Sequence, residues 1–171
     1  GMDACVRRVD VDAHDPDGPE AAARTARRAA LLDVAGDEPV LLGHTRDDQA
    51  EQVLLSLARG SGATSLAGIR PRSGQFWHPL LEVRRAQTVQ ACREWEVEPW
   101  QDPHNGDPRF LRSRVRTELM PVMEEVLGPE VAASLARSAT LLAGEDEVVA
   151  RVARMWADEH GVNANELPGL R

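Results

Sequence analysis

The stretch Leu42-Gly43-His44-Thr45-Arg46-Asp47-Asp48-Gln49-Ala50-Glu51-Gln52, closed by Leu57-Ala58-Arg59-Gly60-Ser61-Gly62, decides how the chain is read. The apolar run Val40-Leu41-Leu42 ends at a glycine, a histidine stands at the turn, and the first turns of the helix that follows are acidic. Residues three and four apart share a helix face. Asp48 and Glu51 are three apart and His44 precedes Asp48 by four, so an imidazole and two carboxylates can converge on one ligand, flanked by Asp47 and Gln52. A purely structural account also exists: Thr45 is a good N-cap, Asp48 completes something close to a capping box, and acids in a first turn suit the helix dipole. The order of strand end, charged turn and helix favours a site, because ligands of open α/β sheets bind at the carboxyl ends of strands.

Working outward, the pattern over Cys5 to Val11 predicts a strand, and Pro19 opens an alanine-rich helix over Glu20 to Val34 that ends at Gly36. Val40 to Leu42 is read as a short strand and Arg46 to Ala58 as a helix, with Ala50, Val53, Leu54 and Leu57 facing the core. Ser61 to Ala67 is read as a further short helix, with Gly60, Ser61 and Gly62 able to offer backbone N–H groups to a phosphate. Gln75 to Leu81 reads as a strand stopped by Pro79. Arg84 to Trp95 reads as an amphipathic helix with Val89 and Cys92 inward, and Trp95 and Trp100 as core or rim aromatics. Asp102-Pro103-His104-Asn105-Gly106-Asp107 is turn-rich. After it, Arg109, Arg112 and Arg116 form one basic stripe if helical, while Arg114 points elsewhere; ion pairs to Asp107 or Glu118 would be the structural use of such a stripe. From Pro129 to Glu159 the pattern is helical, with Val131, Leu135, Leu142, Val148, Val152 and Trp156 apolar, and Gly161 to Arg171 reads as linker.

Composition narrows the class. At 171 residues the chain allows one domain, or one and part of another. It has no apolar run near 18 residues and no signal-like start, which predicts a cytoplasmic protein without a membrane partner. Cys5 and Cys92 form no C-x-x-C, which argues against a zinc ribbon or disulfide framework and reads both as reduced thiols. The net charge of −8 is unusual for a nucleic-acid partner; all 20 basic side chains are arginine, the residue suited to bidentate phosphate contacts, although with abundant alanine and no tyrosine this usage is better explained by a GC-rich coding sequence.

GHTRDDQAEQVLLSLARGSG over residues 43–62, then Leu66-Ala67-Gly68-Ile69, Pro79-Leu80-Leu81, Asp102-Pro103-His104-Asn105 and Arg112-Ser113-Arg114-Val115-Arg116 resemble, in order, the tRNA(Ile)-lysidine synthetase family of N-type ATP pyrophosphatases. Glu20, Arg24 and Arg27 resemble its E-x-x-x-R-x-x-R helix; their alternative use is an ion pair on a solvated face. The resemblance implies an α/β fold, mostly helical by content: a partial doubly wound, adenine nucleotide alpha hydrolase-like sheet with flanking helices. Residues 1–121 would be the C-terminal part of the PP-loop domain, and 122–171 a helical linker and the start of a following domain.

The implied activity is ATP-dependent ligation. ATP activates C2 of the wobble cytidine in tRNA(Ile) with a CAU anticodon, pyrophosphate leaves, and L-lysine displaces AMP. ATP and Mg²⁺ are the implied cofactors. His44, Asp48, Glu51, Arg112 and Arg116 are the implied catalytic residues; Asp47, Arg24, Arg27, Arg59, Gly60, Ser61, Gly62, Asn105 and Arg114 are implied substrate contacts. Asp48 and Glu51 would hold either Mg²⁺ or the lysine ammonium, and His44 would touch phosphate or move a proton. The family's S-G-G-x-D-S loop does not occur in this sequence, which predicts a truncated, inactive piece and exposed sheet edges inviting a homo-oligomer. Three further departures are His78 where arginine is usual, Gln52 for threonine and Arg28 for tyrosine. The other readings are a tRNA-thiolating enzyme of the same superfamily, disfavoured by the lack of paired cysteines, and a non-catalytic nucleotide- or tRNA-binding module.

Overall fold

A computed structural model describes residues 4–12, 14, 16, 18–100 and 102–162, and packing divides them into two units. The first comprises Gly1–Leu42 and Arg72–Trp77. Helix α1 (Pro19–Ala35) begins with proline at its first position, where the missing N–H costs no helical hydrogen bond. Strands β1 (Val40–Leu41), β2 (Arg72–Ser73) and β3 (Phe76–Trp77) form a small sheet in the order β1-β3-β2. The β1–β3 pair is parallel, with Val40 opposite Phe76 and Leu41 opposite Trp77, and β2–β3 is an antiparallel hairpin. Its turn needs a residue at φ 58°, which Gly74 supplies. Val40 and Phe76 are buried, and the Arg28 guanidinium sits 3.7 Å from the centre of the Phe76 ring. Burial, then the neighbouring charges of Arg24 and Arg27, lower the Arg28 pKa.

The second unit comprises Gly43–Pro71 and His78–Arg171. Its described elements are α2 (Arg46–Ala58), α3 (Ala63–Leu66), α4 (Arg85–Glu94), a 3-10 turn (Pro103–Gly106), α5 (Leu111–Arg114), a π-turn (Val115–Leu119), α6 (Met120–Leu127) and α7 (Val131–His160). Helix α2 lies against α7. Buried alanines make that approach close: Ala50 on α2, and Ala132, Ala136 and Ala139 on α7. Ala50, Leu55, Val115, Met120, Val131 and Ala132 form a continuous core, so α7 shares its apolar contacts with elements that precede Pro121 in sequence. The π-turn has a local cause. Pro121 has no N–H to give the carbonyl four residues back, so the helix must shift its hydrogen bonding before continuing as α6.

Several expectations differ. Residues 4–12 form no strand, and Val6, Val9 and Val11 are exposed; the alternation finds no ladder to join. Leu57 is exposed and Leu55 is buried, because α2 is covered on more than one side. Val89 is exposed and Cys92 is half-buried, as α4 presents little apolar surface inward. Trp95 and Trp100 are exposed rather than packed, and so are Val148, Val152 and Trp156 on α7. The linker reading of Gly161 to Arg171 falls mainly outside the described residues.

Candidate active site

Helix α2 is capped by the box expected of its sequence: the Thr45 N–H and hydroxyl donate to Asp48 Oδ2 at 2.8 and 2.7 Å. The other oxygen of the same carboxylate looks toward basic groups. Asp48 Oδ1 accepts from Arg85 Nη2 at 2.9 Å and from Arg116 Nη2 at 3.2 Å. Capping and site chemistry are therefore carried by one side chain.

One turn further on, Glu51 is almost fully buried and lies among three guanidinium groups. Arg116 grips it with two prongs, Nε to Oε1 at 2.8 Å and Nη2 to Oε2 at 3.0 Å. Arg85 Nη2 adds a bond to Oε1 at 3.1 Å, and Arg112 Nε stands 3.6 Å from Oε2. Asp47 Oδ2 accepts the backbone N–H of Arg85 at 2.8 Å, which fixes the start of α4 beside α2. Arg112 Nη2 donates to Gln52 Oε1 at 3.0 Å. Three chain segments thus meet: α2 with the acids, α4 with Arg85, and the α5–π segment with Arg112 and Arg116. Charge-assisted and forked hydrogen bonds of this kind fix side chains strongly.

The electrostatics follow. Burial alone would raise the Asp48 pKa, but the Thr45 hydrogen bonds and the charges of Arg85 and Arg116 outweigh it and hold the carboxyl below its ordinary range. The Arg116 pKa is raised by its hydrogen bonds to Glu51, against the effect of burial, with help from the charges of Glu51, Asp48 and Asp47. This donor set does not fit Mg²⁺ at Asp48. Mg²⁺ binds through one or two carboxylates whose oxygens are open to it, with water and phosphate completing an octahedron, whereas the oxygens of Asp48 and Glu51 already accept from Thr45, Arg85 and Arg116. Among the described residues no group of three His, Cys, Asp or Glu could hold a metal ion.

The remaining residues expected at a site are placed as follows. The His44 ring packs against His78, with centroids 5.0 Å apart, and His78 Nδ1 lies 2.7 Å from the Arg70 carbonyl. Arg24 and Arg27 lie on α1, in the first unit. The N–H groups of Gly60 and Ser61 are given to carbonyls at the end of α2, which removes them as a phosphate cradle; Arg59 caps the end of α2 and Gly62 the start of α3. The Asn105 carbonyl accepts from Ser113 Oγ at 3.0 Å, which ties the 3-10 turn to α5. Arg114 pairs with Glu118 on the surface. Arg109 precedes α5 and pairs with Asp107, so it is not part of the stripe that carries Arg112 and Arg116. Arg85 is the participant that sequence reasoning missed. The only local sign of it was a pair of arginines, Arg84-Arg85, at a helix start.

Comparison with known proteins places these segments in context. A family model described as a PP-loop domain matches residues 1–123. A tRNA(Ile)-lysidine synthase of Cutibacterium acnes is 99% identical over 171 residues, covering 100% of this chain and 55% of that protein. One from Thermobifida fusca is 52% identical over 157 residues, 90% of this chain and 47% of its own length. One from Mycobacterium bovis is 53% identical over 152 residues, 89% and 46% respectively. The chain spans about half the length of these curated relatives. Among the described residues no helix is long and apolar enough to cross a membrane.

Proposed function

The chain belongs to the PP-loop domain family, and from that premise we propose that it is part of a tRNA(Ile)-lysidine synthase and forms one wall of its adenylation site. The observation that carries the reading is the buried Glu51 enclosed by Arg85, Arg112 and Arg116, inside the segment that matches the family. In such a reaction the C2 oxygen of a wobble cytidine attacks the α-phosphorus of ATP and pyrophosphate departs. The lysine ε-amine then attacks C2, loses a proton, and expels AMP. Negative charge builds on phosphate oxygens in the first step, and fixed guanidinium donors stabilise it without reorganising.

In this proposal Asp48 and Glu51 act through the arginines. They hold the guanidinium groups in one geometry, and Arg112 and Arg116 face the phosphates and the activated base. His44 touches phosphate or takes the amine proton. The substrates of the whole protein are then ATP, L-lysine and tRNA(Ile) with a CAU anticodon. No step is assigned to Mg²⁺ at Asp48, since that carboxylate is already committed.

The test is radiolabelled lysine incorporation into a tRNA(Ile) transcript by the full-length protein. Arg112→Ala should lower incorporation by about 100-fold or more, the scale on which a transition-state donor acts. Near-normal incorporation by that variant, or none by the parent protein, would sink the proposal.

A further inference from the structure

Arg112 and Arg116 lie four residues apart and both face Glu51, yet they are held in different ways. Arg116 is locked. Its two-pronged grip on Glu51, at 2.8 and 3.0 Å, is reinforced by Asp48 at 3.2 Å. The hydrogen bond that holds Arg112 goes to a neutral acceptor, from Nη2 to Gln52 Oε1 at 3.0 Å. Arg112 Nε is buried without a hydrogen-bond partner among the described residues, 3.6 Å from Glu51 Oε2.

Arg116 makes three hydrogen bonds to carboxylate oxygens, whereas Arg112 has one amide acceptor and a longer ion pair at 3.6 Å. Pulling Arg116 from its acids therefore costs more than drawing Arg112 off Gln52. A buried donor without an acceptor is itself unfavourable, so Arg112 gains from a new partner whereas Arg116 only exchanges good ones. Gln52 is suited to this hold because its amide is also anchored one turn along, with Nε2 3.4 Å from Ser56 Oγ. That leaves Oε1 turned toward Arg112.

We propose that Gln52 is a positioning residue that steers Arg112 through an uncharged acceptor and so leaves Arg112, rather than Arg116, free to engage the phosphoryl groups of the bound nucleotide. A carboxylate at this position would trap Arg112. An apolar side chain would release it without guidance. The inference rests on the proposed nucleotide site, but anion binding reports on it without any lysine transfer.

The test uses the full-length protein and inorganic pyrophosphate as the calorimetric probe, with kcat and KM for ATP resolved in the lysine-incorporation assay. Gln52→Glu should weaken pyrophosphate binding about ten-fold and lower kcat at least as much, the size of one charge-assisted hydrogen bond that must be broken. Its melting temperature should match or exceed the parent's. Gln52→Leu should bind pyrophosphate within about three-fold of the parent and lose kcat with KM for ATP unchanged. Gln90→Glu on α4 adds the same charge where it does not touch Arg112 and should leave both readouts alone. Less than a three-fold change in Gln52→Glu, or equal losses in Gln52→Glu and Gln90→Glu, overturns the assignment. If Gln52→Glu does not fold, Gln52→Leu decides, and unchanged kcat overturns it. Should the parent protein incorporate no lysine while Gln52→Glu still loses pyrophosphate, the lysidine reading fails and the role of Gln52 stands.

Discussion

Replacing Glu51 by alanine removes the carboxylate on which three guanidinium groups close. Its side chain is 2% exposed, while those of Arg85, Arg112 and Arg116 are 32%, 31% and 26% exposed. Breaking a buried ion pair by removing one partner costs about 3–5 kcal/mol, because the remaining charge is left uncompensated. Here the remaining charges can turn to water and Arg116 keeps Asp48, so the lower end, about 3 kcal/mol, applies. For a chain of this size that corresponds to a fall in Tm of about 6–12 °C. Glu51→Gln keeps the volume and one acceptor but sets an amide N–H against guanidinium N–H groups, and should lose roughly half as much.

The assay is reversible thermal unfolding followed by circular dichroism, with a double-mutant cycle on Glu51 and Arg116. The coupling should reach about 1.5 kcal/mol or more, as expected of residues in one network. Arg114→Ala is the comparison, since its pair with Glu118 is exposed and is worth at most about 0.5 kcal/mol. If Glu51→Ala melts as close to the parent as Arg114→Ala does, the acid–arginine cluster does not hold this unit together.

Three other outcomes follow from the geometry. Asp48 has a depressed pKa in the folded chain, so its stabilising contribution is complete above its unfolded pKa of about 3.9 and is lost as pH falls through the folded value. Melting temperatures measured from pH 6 downward should drop more steeply for the parent than for Asp48→Asn below about pH 4, and parallel curves would remove this effect. Gly68 has φ +65°, and a Cβ there would come 2.6 Å from Gln49 Oε1. That amide is not free to yield, because it binds the Ile69 N–H at 2.7 Å and the Ile69 carbonyl at 3.2 Å. Gly68→Ala should cost about 2 kcal/mol in a denaturant titration, from backbone strain and the lost clamp. Asp146 ties α7 to α3 through Thr64 Oγ1 at 2.8 Å and to the segment after α3 through the Arg70 guanidinium, so Asp146→Ala should cost about 1–2 kcal/mol by the same titration.

Local signals made part of this chain readable. Helix α2 spans Arg46–Ala58 as its sequence indicates, because Thr45 and Asp48 mark its start and the Gly60 turn, at φ 65°, marks its end. Its buried face was harder to read. Gln49 and Ser56 are buried with their polar atoms bonded to Ile69 and Ser65, and an apolar stripe cannot reveal polar residues that find partners across a fold. The same limit hid Arg85, whose acids lie 37 and 34 residues back in the chain. Arg112 and Arg116 were legible from their spacing, while Arg109 was wrongly grouped with them because α5 starts only at Leu111. The strand expected over Cys5 to Val11 failed for a related reason: period-two patterning says that a strand is possible, and only a partner edge makes one.

If this acid–arginine wall serves adenylation of an RNA base, the full-length protein incubated with tRNA(Ile) and ATP labelled at the α-phosphorus, with lysine withheld, should place the label on the tRNA. Little or no label should join the tRNA with Arg112→Ala, and adding lysine to the parent reaction should release the label as AMP. Label that never joins the tRNA and appears as ADP would contradict that role.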